Sequence, residues 1–292
     1  MDRLDDYRER ARNDPRTTDE VVEAAAAAVI YRNSEDEVLS DAYWKPVRLL
    51  HCRADDLVMT AAKRLLTSES SADRALAADI LAQVAFGKET RRTEAADLLL
   101  PVFERETNCE VLNSMALAFG HIGDERSVPR LVELSSHPDE SLRYAVVYGL
   151  SGRDHERAIA ALIALSSDPD DDVRNWATFG LGSQTTVDTP EVRNALAARL
   201  QEDDDEIRGE ALVGLAERGD RRVVAPLLRE LGSNTPEVLH DWVLIADAAS
   251  AVVRVATAAG GKEWLPVLER LKALDIGDAR SVEMAIARCV SD

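Results

Sequence analysis

The sequence predicts an all-α protein built from stacked helical hairpins, and three observations carry that prediction. Segments beginning at Pro138 (PDESLRYAVVYGL), Pro169 (PDDDVRNWATFGL) and Asp203 (DDDEIRGEALVGL) are variants of one another. Their shared arginines, Arg143, Arg174 and Arg208, are spaced by 31 and 34 residues, the period of a helical repeat. Extended period-two alternation and Asn-Gly hairpin signals are missing throughout, so β structure has no support.

Each repeat resolves into two helices. In the second helix of the middle copy, Val173, Ala177, Gly180 and Leu181 fall at i, i+4, i+7 and i+8, a single apolar stripe. The same offsets pick out Leu142, Val146, Gly149 and Leu150 before it, and Ile207, Ala211, Gly214 and Leu215 after it. A glycine at the third place costs helix propensity but lets a neighbouring backbone come close, as tightly stacked layers require. A shorter amphipathic helix precedes each, with Val128, Leu131, Val132 and Leu134 in one copy and Ile159, Leu162, Ile163 and Leu165 in the next. The joins, SSHPD and SSDPD, end the first helix at proline and supply Asp139 and Asp170 to cap the second; Asp204 holds the same place in the third copy. Asp139 and Arg143, Asp170 and Arg174, and Asp204 and Arg208 are each four residues apart, so each pair is expected to share a helix face and join a ladder of charges along the stack.

These hairpins, with proline near the internal turn and Asp and Arg at fixed places, resemble HEAT repeats, in particular the short bacterial type related to the phycobilin lyases. The resemblance is concentrated between Asn108 and Leu231, and in the copy near Asn108 the arginine position holds Leu112, which interrupts the ladder. It implies an armadillo-type right-handed α-α superhelix, with Asp139, Asp170, Asp204, Arg143, Arg174 and Arg208 as structural ladder residues and the second helices lining a concave face. One elongated domain over residues 1–292 is expected: a degenerate cap over 1–54, the best-defined repeats over 55–231 and degenerate repeats over 232–292.

Charge and cysteines narrow the function classes. With 35 basic and 54 acidic residues, the chain carries a formal charge of −19, opposite in sign to a backbone-tracking nucleic-acid binder. Between Ser166 and Glu210 there are 12 acidic and 4 basic residues, which suits the turn edge of the central repeats to a basic protein segment. The longest weakly polar run, VVEAAAAAVIY, is interrupted by Glu23 and reads as a packed helix, and the first residues lack the apolar core of a secretion signal. Cys52, Cys109 and Cys289 are dispersed, as expected of buried thiols in a reducing cytoplasm. No metal or cofactor is expected. His51 and Cys52 are helix neighbours that diverge, while His121, His137, His155 and His240 sit at turns or helix ends without a ligand partner at metal spacing.

The remaining signal is aromatic. Rings make up 4% of the chain, yet Tyr144, Tyr148, Trp176 and Phe179 cluster in neighbouring second helices, flanked by Arg143 and Arg174. These six residues are the candidate binding surface, with Tyr144 and Tyr148 expected to be the more exposed. The sequence therefore predicts a cytoplasmic, monomeric, non-catalytic protein-binding module. The alternatives are a bilin-lyase-like or chromophore-chaperone activity, implied by the family resemblance, and a HEAT-like DNA glycosylase, which would need a cationic channel.

Overall fold

In a computed structural model, residues 9, 13–84, 89–233 and 242–291 are described. Among them are sixteen α-helices and no strand. The chain divides into two compact units, Met1–Leu150 and Ser151–Asp292. That division falls inside the stretch of best-defined repeats, where the repeat motif gives no sign of it.

The first unit contains α1 (Thr18–Ala27), α2 (Glu37–Arg53), α3 (Asp56–Leu66), α4 (Ser71–Val84), α5 (Glu89–Phe103), α6 (Cys109–Ile122), α7 (Val128–Leu134) and α8 (Glu140–Leu150). The second contains α9 (Glu156–Leu165), α10 (Asp171–Ser183), α11 (Pro190–Arg199), α12 (Asp205–Glu217), α13 (Val224–Ser233), α14 (Trp242–Ala259), α15 (Leu265–Leu274) and α16 (Ala279–Ser291). Within each unit the hairpins' second helices (α4, α6 and α8; α10, α12, α14 and α16) pack extensively against one another, whereas the first helices touch their counterparts sparingly.

Helix starts follow the capping chemistry. The side chains of Asp55, Asn108, Asp139, Asp170 and Asp204 accept from the backbone N–H of Val58, Val111, Leu142, Val173 and Ile207, satisfying donors that a helix leaves open at its first turn. Thr17 and Glu20 form a reciprocal capping box at α1. That helix stops at Ala27 and a 3-10 turn follows (Val29–Tyr31), so the alanine-rich run is shorter as an α-helix than its composition suggests. Three more 3-10 turns, Glu125–Ser127, Arg221–Val223 and Lys262–Trp264, lead into α7, α13 and α15. In the first two, Asp124 and Asp220 cap the turn and grip Arg126 and Arg222 two residues on.

The ladder arginines are placed otherwise than the i,i+4 spacing suggested. Because Asp170 and Asp204 turn back to cap their own helices, Arg174 and Arg208 take Asp171 and Asp205 as carboxylate partners. Nη1 of each arginine is directed into the preceding turn, donating to the carbonyls six and five residues back. Arg174 reaches Asp168 O at 2.9 Å and Pro169 O at 3.2 Å; Arg208 reaches Glu202 O at 2.7 Å and Asp203 O at 3.4 Å. Arg143 does the same to His137 O and Pro138 O. So does Arg74 of α4, to Ser68 O and Glu69 O.

The charge link along the stack runs onward to an acid of the next hairpin: Arg74 to Glu106 at 2.7 Å, Arg174 to Glu202 at 3.7 Å and Arg208 to Glu230 at 3.0 Å. At the copy carrying Leu112, which is buried, Asn113 instead donates to Ser141 O of the following hairpin at 2.9 Å.

The glycines of the stripe mark close approaches of unequal severity. A Cβ on Gly214 would lie 2.6 Å from the Gly182 Cα, backbone against backbone between α10 and α12. On Gly149 it would meet Leu131 and the Ala116 carbonyl at 2.9 and 3.0 Å. On Gly180 its nearest neighbour is the Ser151 hydroxyl, which can rotate away. Gly214→Ala is therefore expected to lower the urea midpoint by the larger amount, at a cost of about 1–3 kcal/mol from overpacking. Gly180→Ala should cost less, and equal midpoints for the two variants would refute this ranking.

Candidate functional site

Site geometry is set by where each repeat places its rings. In the first unit the Tyr148 ring lies against Gly120 of α6: a Cβ there would come 2.4 Å from the Tyr148 Cδ1, so only a glycine leaves room. The Tyr148 hydroxyl stands 3.3 Å from Nδ1 of His121, and the two rings meet edge to face with centroids 5.2 Å apart. Desolvation raises the Tyr148 phenol and lowers the His121 imidazole relative to their ordinary values. Tyr144, one turn earlier on α8, is half-buried like Tyr148. In the second unit, Trp176 and Phe179 on α10 form an edge-to-face pair with centroids 5.7 Å apart, both half-buried.

Both arginines assigned to this surface are withdrawn from it. Arg143 is only 9% exposed, with Nη1 committed to two turn carbonyls. Arg174 is held by its own turn, by Asp171 and by Glu202. The physical reason is that an arginine at the fourth position of a second helix points back over the turn, where unsatisfied carbonyls compete better for it than solvent does. Gly209 and Val213, the positions of α12 equivalent to the exposed ring positions of α8 and α10, are buried, and a Cβ on Gly209 would meet Leu244 of α14 at 2.7 Å. His121, absent from the predicted set, joins it. Its signal in the sequence was the helix-end position one residue after a glycine, facing a tyrosine of the next repeat.

Much of the central acidity is used locally. Asp170 and Asp204 cap, while Asp171, Asp205 and Glu202 pair with arginines. Asp172, Asp203 and Glu206 remain exposed. His137 and His155 serve their turns, accepting from the N–H of Asp139 and Arg157; His240 lies outside the described residues. Cys289 is buried, Cys52 and Cys109 are half-buried, and none of the three is in a disulfide. Among the described residues no group of three or more His, Cys, Asp or Glu is disposed to hold a metal ion, and no helix is long and apolar enough to cross a membrane.

A polar cluster that sequence reasoning missed lies where the N-terminal helices meet α4. Asp79, 5% exposed, accepts from Arg32 Nε at 2.6 Å and Nη2 at 2.9 Å, and from the Tyr43 hydroxyl at 2.6 Å. The indole of Trp44 donates to the Arg32 carbonyl, and Nε2 of His51 lies 2.9 Å from the Asp79 carbonyl. Burial pushes the Asp79 carboxyl and the Tyr43 phenol up, and lowers the His51 imidazole to about 4. In the second unit Arg218 plays a comparable buried role. It donates to the carbonyls of Leu181, Gly182, Thr185, Val187 and Gly214, closing the end of α10 and the long linker that follows it. Neither cluster has a sequence signature, because its members are far apart in the chain.

The sequence pattern of HEAT repeats matches residues 96–182 and 162–246, together more than half of the chain. The chain belongs to the HEAT-repeat family. Protein YibA of Escherichia coli (strain K12) is 33% identical over 172 residues, 59% of this chain and 45% of YibA, so that match spans less than half of the relative's length. The X-ray structure of Escherichia coli YibA superposes over the whole of this HEAT-repeat chain and 98% of that chain, with a TM-score of 0.66 and 22% identity. Importin beta superposes over 98% of this chain and 43% of its own, with a TM-score of 0.54 and 14% identity. Both structures share the all-α solenoid fold. The CpcE–CpcF complex of phycocyanin lyase from Nostoc reaches a TM-score of 0.44 at 16% identity over 85% of this chain and 93% of that chain.

Two outcomes test the Asp79 cluster. Asp79→Ala leaves the Arg32 guanidinium unpaired in the core and should cost about 3–5 kcal/mol in urea unfolding, whereas joint replacement of both by apolar residues recovers much of the loss. His51 is held neutral, so the unfolded chain takes up its proton first. The stabilisation it contributes is complete above the ordinary histidine range and is lost as pH falls from about 6.5 towards 4. Unfolding midpoints measured across that window should fall more steeply for wild type than for His51→Gln, and parallel curves would contradict the assignment.

Proposed function

We propose that this HEAT-repeat protein is a non-catalytic interaction module whose second-helix layer receives a partner protein. The observation that carries the reading is the restrained, half-exposed ring of Tyr148, laid over Gly120 and tied to His121. A ring already fixed in place loses little freedom when a partner covers it, which is the property of an interface anchor. Tyr144 shares that helix in the first unit, and Trp176 and Phe179 form a separate ring pair on α10 of the second. Second helices that pack closely while first helices spread apart make this layer the concave side of each stack.

The partner is expected to carry a basic segment, because Asp172, Asp203 and Glu206 are exposed acids left over after local pairing and the net charge is −19. The same charge favours a monomer, and three cysteines outside any disulfide suit the reducing cytoplasm. No specific observation favours a bilin or a DNA duplex: Arg143 and Arg174, which a chromophore site would use, are committed to turn carbonyls.

Affinity capture from the native cell lysate tests the proposal, run with wild type and with a Tyr144→Ala/Tyr148→Ala variant at low and high salt. A reproducible partner held by wild type, weakened by salt and lost from the variant is the expected result. Loss of roughly 2 kcal/mol or more, about thirtyfold in affinity, would mark these rings as hot spots. Retention of the same partner by the variant would overturn the surface.

A further inference from the structure

The middle of α12 contains a buried acid that, among the described residues, neither caps a helix nor pairs with an arginine. Glu210 is 8% exposed, and its carboxylate accepts a single long hydrogen bond, 3.4 Å, from the Ser183 hydroxyl of α10. It sits where α10 and α12 approach backbone to backbone: a Cβ on Gly182 would be 3.0 Å from the Glu210 carbonyl and one on Gly214 would be 2.6 Å from the Gly182 Cα. Such a seam has no slack to admit water around a new charge.

The groups facing Glu210 make the charge harder to accept. Among the described residues, the elements packed most closely against α12 are α10, α11, α14 and the turn Arg221–Val223. From α10 comes only the Ser183 hydroxyl, since Arg174 is occupied by Asp171 and Glu202. From α14 comes Asp247, and from α12 itself Glu206, both acidic. The arginines of α11 are engaged elsewhere, Arg193 with Asp188 and Asp220 and Arg199 with Glu202, and Arg222 of the turn grips Asp220. Arg221, the other cation of that turn, is exposed and does not reach Glu210.

We infer that Glu210 makes the seam between α10, α12 and α14 a proton-responsive joint, closed while the carboxyl is protonated and loosened when it ionises. Desolvation first, and then Glu206 and Asp247, push Glu210 up to about 7, so the change falls within the physiological range. The sign follows from linkage. Folding raises this acid above its ordinary value, so between about pH 4.5 and 7 the folded chain holds a proton that the unfolded chain has released. Its contribution to stability therefore declines as pH rises through that window and does not return above it. This is opposite in sign to His51 in the first unit, whose contribution grows with pH.

Hydrogen exchange read by mass spectrometry on the full chain at pH 6 and pH 8, corrected for the intrinsic exchange rate, tests the inference. Protection of α10, α12 and α14 peptides in wild type should fall about tenfold between the two conditions. In Glu210→Gln, which keeps the shape and removes the charge, protection should be the same at both. Asp247→Asn removes a negative charge that raises Glu210, so the pH dependence of protection should move to lower pH, and a shift to higher pH would overturn the inference. Equal pH dependence in wild type and Glu210→Gln, or an equal loss of protection in α4 and α6 of the first unit, would also overturn it.

Discussion

The stack depends on what happens at the turn inside each hairpin. A helix that ends leaves carbonyls without partners, and a tight turn stacks several of them together. In this chain an arginine one turn into the following helix bends back to collect two of them, at Arg74, Arg143, Arg174 and Arg208 alike. For Arg74, Arg174 and Arg208 the remaining face of the guanidinium reaches an acid of the next hairpin. One side chain thus closes its own turn and fixes the neighbour's position, which a lysine's single ammonium could not do with the same geometry. The capping aspartates are the necessary complement: by binding backbone N–H groups they set where each second helix starts, and so where its arginine falls.

The repeat period, the helix pairing, the capping residues and the interior stripe were legible because they are local. Each depends on residues within one turn or at a fixed offset, and Pro138, Asp170 or Val173 can be read without knowing the fold. The partner of each arginine was not legible from the i,i+4 rule. That rule treats the helix surface as the only competitor, whereas the preceding turn offers carbonyls with no other donor. The Asp79 cluster was missed for a different reason. Arg32, Tyr43 and Asp79 are brought together by the packing of the N-terminal helices on α4, and nothing in their spacing distinguishes them from surface residues.

The candidate surface was half legible. Rings at offsets two and six of the second helix were visible as an anomaly in a chain poor in aromatics, and the structure leaves Tyr144, Tyr148 and Phe179 half-exposed there. The third repeat breaks the pattern, since Gly209 is covered by Leu244 of α14 and Val213 is buried. Glycine, small enough to be absent from any list of binding residues, decides the outcome in both directions. At Gly120 it opens a bed for a ring, and at Gly209 it admits a leucine that closes the surface.

Repeat proteins are often regarded as strings of interchangeable parts, lengthened or shortened a unit at a time. The Asp79 cluster limits that freedom at the N-terminal end. Asp79 belongs to the first of the arginine-bearing second helices, but the side chains that satisfy it, from Arg32 and Tyr43, come from the cap that precedes the regular repeats. A chain trimmed to begin at the first regular repeat would carry a carboxyl in its outermost layer without the guanidinium and the phenol that meet it here. The cap and α4 are therefore inherited together, and recombination among related solenoids would preserve this fold when the crossover falls after α4 and not before it.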